Sequence, residues 1–329
     1  MAGTGISYTN DTLTVPVALS NIIRNIGLHT ITPSAKFNAA LEKSIKGLHQ
    51  WLGIEMNDPR TTWVGREFHI PTEPYPKETR AGNPLHLLLI IAAVIYYLAR
   101  WSSTRSHETI YCAFALTSAF LIFCFYLRWQ PWHSRLHLPL FVLWSPLIAV
   151  ALYPLFNGKL ANVIALVLVL ATYPSLFTST PRPLLGTHNV LVTNRLNQYF
   201  EELPRGAEAW FVGATQFIKA HGCSQVGLLA GSWNDWEYPW WVLLQQSPTS
   251  LTRLEHVQVN NPSAALADRK PFDRFDPCAI IEMQWRPETI IATNYSDKKR
   301  DEVLMPGGVY TSAWALGPVQ VFLKKTENQ

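Results

Sequence analysis

One short stretch of the chain combines side chains that bind phosphate with side chains that favour a membrane surface. In LRWQPWHSRLHLP (127–139), the basic and aromatic residues are Arg128, Trp129, Trp132, His133, Arg135 and His137. Arginine and histidine contact phosphate oxygens through charge-assisted hydrogen bonds, and tryptophan is enriched at membrane interfaces. The two arginines and two histidines are therefore candidate ligands of a lipid-linked phosphate. The alternative is that they only anchor the ends of membrane helices.

A second stretch is rich in tryptophan and contains carboxylates. GSWNDWEYPWW (231–241) follows a short apolar run, and its candidate glycan-binding side chains are Trp236, Glu237, Tyr238, Trp240 and Trp241. Indole rings can pack on the faces of sugars, and carboxylates accept hydrogen bonds from hydroxyl groups. The alternative is an aromatic core, or a belt of rings resting on a bilayer.

The rest of the sequence lacks the motifs of several classes of enzyme and binding protein. GLLAGS (227–232) lacks the glycine spacing of a dinucleotide site and the lysine of a phosphate-binding loop, and no metalloprotease, serine hydrolase or kinase signature is present. No cysteine spacing indicates zinc, so we expect no metal and no cofactor. Cys223 and Cys278 could pair if their segment is extracytoplasmic. His256 is interpreted as structural, and a net charge of +4 does not indicate nucleic-acid binding.

The 127–139 loop lies within a long apolar region of the chain. Charged residues make up 15% of the chain, and most of them lie in 1–83 and 182–329; soluble domains have roughly 25%. Four stretches between these segments have the composition of membrane helices, namely 84–99, 109–127, 138–158 and 160–181. The alternative is a buried helical hairpin of a soluble protein.

Two flanking segments complete the predicted organisation. Segment 1–83 contains amphipathic helical patterns at 17–30 and 34–53 and a loop at 57–84. We expect the two helices to pack on a neighbouring surface; the alternative is that they lie in the membrane interface. Segment 182–329 has helical patterns at 193–204, 207–222 and 236–246, and strand candidates at 225–231, 253–259, 278–284, 289–296, 310–316 and 319–325. The predicted fold class is four transmembrane helices at 84–181 with a C-terminal mixed α/β domain.

The sidedness of the flanks is weakly indicated by charge. An even number of spans places both flanks on the same side of the membrane. Basic residues next to the spans are slightly more frequent on that side, which by the positive-inside rule favours the cytoplasm. A role of outer basic residues in binding a substrate phosphate would reverse this preference.

Six stretches together resemble a bacterial family of polytopic membrane glycosyltransferases of the GT-C class, related to protein O-mannosyltransferases and lipid A aminoarabinose transferases. They are SNIIRNIGLH (20–29), LGIEMNDPRTTW (52–63), AGNPLHLLL (81–89), WQPWHSRLHLPLF (129–141), WEYPWW (236–241) and EHVQVNNPS (255–263). The stretches extend over almost the whole chain, and the fourth is the most specific.

The resemblance implies an inverting transferase of the bacterial inner membrane that takes a sugar from a polyprenyl-phosphate donor on the extracytoplasmic face. Both flanks, including the α/β domain, would then be extracytoplasmic, and the 127–139 loop would face the donor phosphate. Family members are much longer, and their catalytic carboxylate lies before the region matched here. The chain also has Glu78, Thr79 and Arg80 where the family leads one to expect an acidic, aromatic pattern.

We therefore expect the C-terminal part of such a transferase, which lacks the catalytic carboxylate and is inactive without a missing N-terminal half. Its partners would be the sugar donor and membrane lipid. The alternative is a non-catalytic, membrane-anchored module in which the 231–241 turn binds a glycan or a partner protein.

Overall fold

The chain folds into two compact units. The computed structural model describes residues 7–72, 82–100, 107–153, 158–178, 182–186, 188–230, 236–245, 251–283 and 300–325. Contacts divide these residues into a helical unit within 4–193 and a sheet unit within 194–329. The first two predicted segments thus fall in one unit.

The helical unit contains eight α-helices among its described residues. They are α1 (Val15–His29), α2 (Ala35–Leu52), α3 (Pro84–Ala99), α4 (His107–Tyr126), α5 (His133–Leu136), α6 (Leu138–Leu152), α7 (Gly158–Ala171) and α8 (Tyr173–Phe177).

The two amphipathic helices predicted before the apolar region are confirmed. α1 has a proline in its first turn, where the missing N–H leaves no hydrogen bond unmade. α2 begins after Ser34, whose hydroxyl accepts a hydrogen bond from the Phe37 N–H, and ends at Gly53 in the left-handed conformation (φ 66°). The connection after α2 joins both helices in an apolar cluster formed by Leu28, Ile31, Ile45, Phe68, Ile70 and Trp129.

Two helical stretches are long and apolar enough to cross a membrane. They are His107–Tyr126, which is α4, and Gly158–Phe177, which comprises α7 and α8, with 20 residues each. The apolar helices α3 and α6 have 16 and 15 residues, or roughly 24 and 22 Å at 1.5 Å per residue, against a hydrocarbon core of about 30 Å. The structure thus gives weak support for membrane association through two helices, and the four-span arrangement stays a prediction.

The apolar helices differ in how they pack. α3, α4 and α6 share a cluster in which Ala93, Ala113 and Ala151 are buried, and small residues let helices approach closely. The Tyr97 hydroxyl of α3 donates to the Leu147 carbonyl of α6 at 2.9 Å. None of the described side chains of α7 and α8 is buried, so these helices present apolar surface along their length.

The sheet unit contains three α-helices and six strands among its described residues. They are α9 (Arg195–Gln198), α10 (Ala207–Ala220), β1 (Gln225–Ala230), α11 (Tyr238–Leu244), β2 (Arg253–His256), β3 (Ala279–Met283), β4 (Glu302–Met305), β5 (Gly308–Leu316) and β6 (Val319–Lys324).

The strands form one mixed sheet in the order β2-β1-β3-β6-β5-β4. β2, β1 and β3 run parallel, and the remaining neighbours are antiparallel. The chain moves from β1 to β2 on one side and then to β3 on the other side, so the strand order reverses at β1. The predicted mixed α/β domain is confirmed. The expected strand at 289–296 lies outside the described residues, and β4 was not predicted.

Helices of the sheet unit cover a well-packed core. The predicted helix at 207–222 is α10, which packs through fully buried Phe211, Ala214 and Ile218 and is followed by Gly222 (φ 65°). The helix predicted at 193–204 is wrong beyond its first turn, because only Arg195–Gln198 is helical and turns follow. A disulfide joins Cys223, after α10, to Cys278, before β3, with Cα atoms 5.7 Å apart.

Candidate functional site: a buried basic cluster

A stripe of polar residues on α1 faces the interior of the helical unit. Asn21, Arg24, Asn25 and His29 recur at intervals of one to four residues that place them on one helix face. All four are buried, and their helix packs on α4 and α5. Because buried polar groups need partners, this face must meet other polar groups. We define the buried basic cluster as Arg24, Asn25, His29, His133 and His137.

Two hydrogen bonds join α1 to the 127–139 loop. Asn25 Oδ1 lies 3.0 Å from His133 Nδ1, and His29 Nε2 lies 2.9 Å from His137 Nδ1. His133 and His137 are one helical turn apart, so both rings point to the same side. The Phe123 ring packs against both imidazoles, with centroids 4.7 and 4.4 Å away. The histidines are therefore held in one orientation inside an aromatic shell.

Arg24 is fully buried beside these histidines. Its guanidinium donates to Thr62 Oγ1 at 2.7 Å and to Asn21 Oδ1 at 2.5 Å, and both acceptors are neutral. The carboxylate whose charge acts on it, Asp58, is itself paired with Arg60 at 2.7 Å. Arg24 is thus a buried cation that forms no ion pair with any described residue.

Burial sets the charge state of the cluster. It lowers the pKa of Arg24 to about 9, although the charge of Asp58 acts in the opposite direction. It also lowers the pKa of His29 to about 4, of His133 to about 3 and of His137 to about 2; the positive charge of Arg24 adds to the effect at His133. At pH 7 the three imidazoles are neutral and the guanidinium carries the charge.

Several nitrogen atoms of the cluster are without a hydrogen-bond partner in the described part of the chain. They are Arg24 Nε, His29 Nδ1, His133 Nε2, His137 Nε2 and the adjoining Trp129 Nε1. Such atoms are uncommon in proteins because each costs roughly 1–3 kcal/mol. A ligand with several oxygen acceptors would satisfy the donors among them. In the described ranges, no three His, Cys, Asp or Glu residues are placed to hold a metal ion.

The structure separates the four candidate phosphate ligands of the 127–139 loop. His133 and His137 point into the cluster and are fully buried. Arg128 is mostly buried and pairs with Asp11, with Nη2 2.5 Å from Oδ1. Arg135 is exposed. The four side chains do not share one surface, and Arg24, which lies with the two histidines, was not among the residues predicted.

The contribution of α1 to the cluster does not follow from its sequence pattern. Three apolar residues of α1, Val15, Leu19 and Ile26, are exposed, whereas the polar stripe is buried together with Leu28. Polar residues at helical spacing usually indicate a solvated face, so the amphipathic pattern by itself predicts the wrong side inward. The histidine partners of Asn25 and His29 lie 108 residues away in sequence, where no local pattern connects them.

The described part of the tryptophan-rich stretch, residues 236–241, also divides into buried and exposed parts. Trp240 is 2% exposed and packs on Phe211 with centroids 4.4 Å apart, so it belongs to the core. Trp241 and Tyr238 are exposed, and Trp236 is half-buried. The candidate glycan-binding side chains therefore include both core and surface residues, and they do not form one exposed surface. They are Trp236, Glu237, Tyr238, Trp240 and Trp241.

Comparisons with known proteins identify no relative of the chain. No family model matches it, and neither the curated protein sequences nor the solved structures contain a significant match.

Proposed function

We propose that the chain acts in a membrane glycosyltransferase and that the buried basic cluster receives the phosphate of a polyprenyl-phosphate sugar donor. The observation that carries the proposal is Arg24, a buried cation whose hydrogen-bond partners in the described residues are all neutral. A buried charge without a counter-charge is costly. A lipid-linked phosphate would supply that counter-charge at the membrane surface.

The convergence of separate sequence stretches supports a shared substrate site. Stretch 20–29 supplies the polar face of α1, stretch 129–141 supplies α5, and stretch 52–63 supplies Thr62. Stretch 81–89 joins them where the Asn83 N–H donates to the His29 carbonyl at 3.0 Å. Four of the six family-like stretches therefore meet at one place, although they are distant in sequence.

The chemistry of sugar transfer gives such a cluster a role. When the bond between the sugar carbon and the phosphate oxygen breaks, negative charge develops on the departing phosphate. A guanidinium and imidazole N–H groups in a water-poor site stabilise that charge strongly. An anion also raises the pKa of neighbouring imidazoles, which favours the protonated form of His133 and His137 that donates through Nε2. The residue that activates the acceptor stays unassigned.

Access to the cluster requires a local opening. Arg24, His133 and His137 are fully buried, so no phosphate reaches them while α5 is in place. α5 has only four residues, and the two hydrogen bonds to Asn25 and His29 tie its histidines to α1. The movement that we propose is a transient opening of these two Nδ1 hydrogen bonds, which admits the phosphate to the unpartnered Nε2 atoms of His133 and His137.

The proposal also assigns a membrane arrangement. α3, α4, α6 and the helical stretch of α7 and α8 would be the four spans, with α3 and α6 extended by interfacial residues. Both flanks would be extracytoplasmic in a bacterial inner membrane, which puts the cluster on the same side as the donor phosphate. The Cys223–Cys278 disulfide supports this placement, because disulfides persist in oxidising compartments.

Sugar transfer tests the proposed function. The chain is expressed alone and with the polypeptide encoded immediately upstream, and membranes are assayed for transfer of labelled sugar from polyprenyl-phosphate donors. We expect transfer that Arg24→Met reduces about tenfold or more and that Lys36→Met, which removes an exposed charge, leaves unchanged. Absence of transfer from every donor tried, or transfer that survives Arg24→Met, contradicts the proposal.

A further inference from the structure

We infer that α1 and α2 together form an apolar face that lies in the lipid interface beside the membrane helices. We call it the α1–α2 apolar face and define it by six exposed side chains, which are Val15, Leu19 and Ile26 of α1 and Phe37, Leu48 and Trp51 of α2. The inference rests on the proposed membrane arrangement of α3 and α4, but it does not depend on phosphate binding by the buried basic cluster.

The polarity of α1 is the reverse of that of a helix on a water-soluble surface. Val15, Leu19 and Ile26 follow one another at intervals of four and seven residues, so they lie on one side of the helix. The polar residues are on the other side, where they are buried, and no exposed residue of α1 is charged. Water would make the outward apolar side costly. This side of α1 therefore fits an apolar surrounding.

The two helices run antiparallel, side by side. Ser20 Oγ lies 3.0 Å from His49 Nε2, and a Cβ atom on Gly27 would lie 2.7 Å from Ile45 Cδ1. The residue number thus rises in α1 as it falls in α2. The contact between the helices consequently fixes how each is rotated about its own axis.

This rotation places the exposed apolar residues of both helices on the same side of the pair. At 3.6 residues per turn, the stripe of each helix is rotated by roughly 110°, in the same sense, from the residues that touch the other helix. The same sense of rotation in two antiparallel neighbours brings both stripes to one side. The stripes therefore form a continuous surface.

The composition of α2 is that of a helix in a membrane interface. Phe37, Leu48 and Trp51 form its exposed apolar stripe, and the Trp51 side chain is 79% exposed. Lys43 and Lys46 lie outside the stripe, with Lys46 on the opposite side of the helix. Interfacial helices combine a lysine-rich polar face with tryptophan, phenylalanine and leucine on the other face.

The position of the helix pair identifies lipid as the occupant of this face. The Asn21 side chain donates to the Cys124 and Leu127 carbonyls at 2.9 and 3.2 Å, at the end of α4, which is long and apolar enough to cross a membrane. The Asn83 N–H, directly before the apolar helix α3, donates to the His29 carbonyl. The pair is therefore fixed where one membrane helix ends and another begins, at the level of the lipid interface.

Quenching of site-specific labels in lipid nanodiscs tests the inference. The full chain carries Cys112→Ser, which removes the exposed free thiol, and one new cysteine labelled with an environment-sensitive fluorophore. Ile26→Cys and Leu48→Cys place the label on the α1–α2 apolar face, Lys46→Cys on the polar side of α2, and Phe114→Cys on the exposed side of α4. Nitroxide-labelled phosphatidylcholine quenches from the lipid, and iodide quenches from water.

We expect the nitroxide lipid to quench the labels at 26 and 48 by about threefold or more over the label at 46, and iodide to show the opposite order. The label at 114 should follow the labels at 26 and 48. Arg24→Met should leave this pattern unchanged, so loss of donor binding and loss of lipid contact are distinguishable.

Two results would overturn the inference. Labels at 26 and 48 that iodide quenches as strongly as the label at 46 would place the face in water. Labels that neither quencher reaches would show that a second copy or another protein covers it. If the lipid still quenches the label at 114 in either case, the membrane arrangement of α4 stands and only this inference fails.

Discussion

Arg24 is the residue on which the proposed anion site depends most directly. Its guanidinium is held by Asn21 and Thr62, which are neutral, and its Nε makes no hydrogen bond to any described residue. A structural arginine would be expected to pair with a carboxylate or to reach solvent. The arrangement instead resembles a site prepared for an anion.

Replacement of Arg24 should therefore cost little stability. Arg24→Met keeps the apolar stem and removes the buried charge, a kind of change that is often neutral or stabilising. The two acceptors it leaves unpaired offset part of that gain, so we expect the free energy of unfolding to change by less than about 1 kcal/mol. Denaturant unfolding of the detergent-solubilised chain, followed by tryptophan fluorescence, measures this.

Asn25 provides the contrasting case. Asn25→Ala removes the acceptor of the His133 hydrogen bond and leaves a buried donor unpaired. We expect a loss of about 1–3 kcal/mol in the same unfolding experiment. If Arg24→Met were the more damaging of the two variants, Arg24 would be a structural residue and the anion-site interpretation would be wrong.

The buried histidines make stability depend on pH. The pKa values of His29, His133 and His137 are about 4, 3 and 2 in the folded chain, below the ordinary value of 6.5. Unfolded chains therefore bind protons first as the pH falls through 6.5, and the stability contributed by each histidine is lost between about pH 6.5 and its own folded-state pKa of about 4, 3 or 2. The slope is at most about 1.4 kcal/mol per pH unit for each histidine.

Thermal unfolding between pH 7.5 and 5 checks this dependence. The melting temperature should fall with pH, and His137→Asn should reduce the slope. His188→Asn, which replaces an exposed histidine, should leave the slope as it is. A melting temperature that does not change over this range would show that the imidazoles are not buried in the neutral form.

At the residue scale, the sequence of 127–139 indicates a site but not the arrangement of its side chains. His133 and His137 are recognisable as candidates because their residue types and spacing are local properties. Their burial, the outward position of Arg135 and the pairing of Arg128 with Asp11 depend on α1 and the N-terminal segment. Those contacts are long-range, and no pattern within the loop encodes them.

At the scale of elements, the segment before α3 packs closely on the segment after α1, next to the buried basic cluster. A side chain on Gly82 would collide with the backbone carbonyl and Cβ of Ile31. This contact accompanies the hydrogen bond from the Asn83 N–H to the His29 carbonyl. The glycine of AGNP is therefore required by packing, which a sequence pattern alone does not reveal.

Two glycine variants should have opposite effects on stability. Gly82→Ala forces the backbone at Ile31 to move, and we expect a loss of about 1–3 kcal/mol. Gly47 lies inside α2, and no atom lies within 4 Å of the position that a methyl group on it would take. Gly47→Ala should therefore add roughly 0.5–1 kcal/mol through helix propensity. Unfolding of both variants side by side provides the measurement, and a neutral Gly82→Ala would refute the close contact.

Elements with strong periodicity are predictable, and their ends are less so. α1, α2, α10 and the parallel strands follow local apolar patterns, and Ser34 and Gly53 mark the limits of α2. The prediction of a helix at 193–204 fails because Asn194 caps a single turn and the chain then forms turns through Leu203. β4 is a short edge strand with an exposed, partly polar face, which gives little signal.

At the scale of the whole molecule, a donor site on the extracytoplasmic face requires the sheet unit to lie outside the cytoplasm. The chain has four cysteines, of which Cys223 and Cys278 are joined and Cys112 and Cys124 are free. An oxidising compartment is needed to keep that disulfide. The cysteines therefore report the location of the C-terminal unit.

Thiol counting tests this location. Cells are lysed in denaturant with excess maleimide, and the labels on the chain are counted by mass spectrometry. We expect two labels without reductant and four with it, because only Cys112 and Cys124 are free. Four labels without reductant would place the sheet unit in a reducing compartment and contradict the extracytoplasmic arrangement.

The most direct test of the central claim compares a polyprenyl phosphate with the corresponding polyprenol, which has the same chain and no phosphate. The full chain in detergent is titrated with each, and binding is measured by native mass spectrometry. We predict that the phosphate binds about tenfold or more tightly than the alcohol, that Arg24→Met abolishes this preference and that Lys36→Met retains it. Equal affinity for the two lipids, or a preference that persists in Arg24→Met, would contradict the claim that the buried basic cluster binds the donor phosphate.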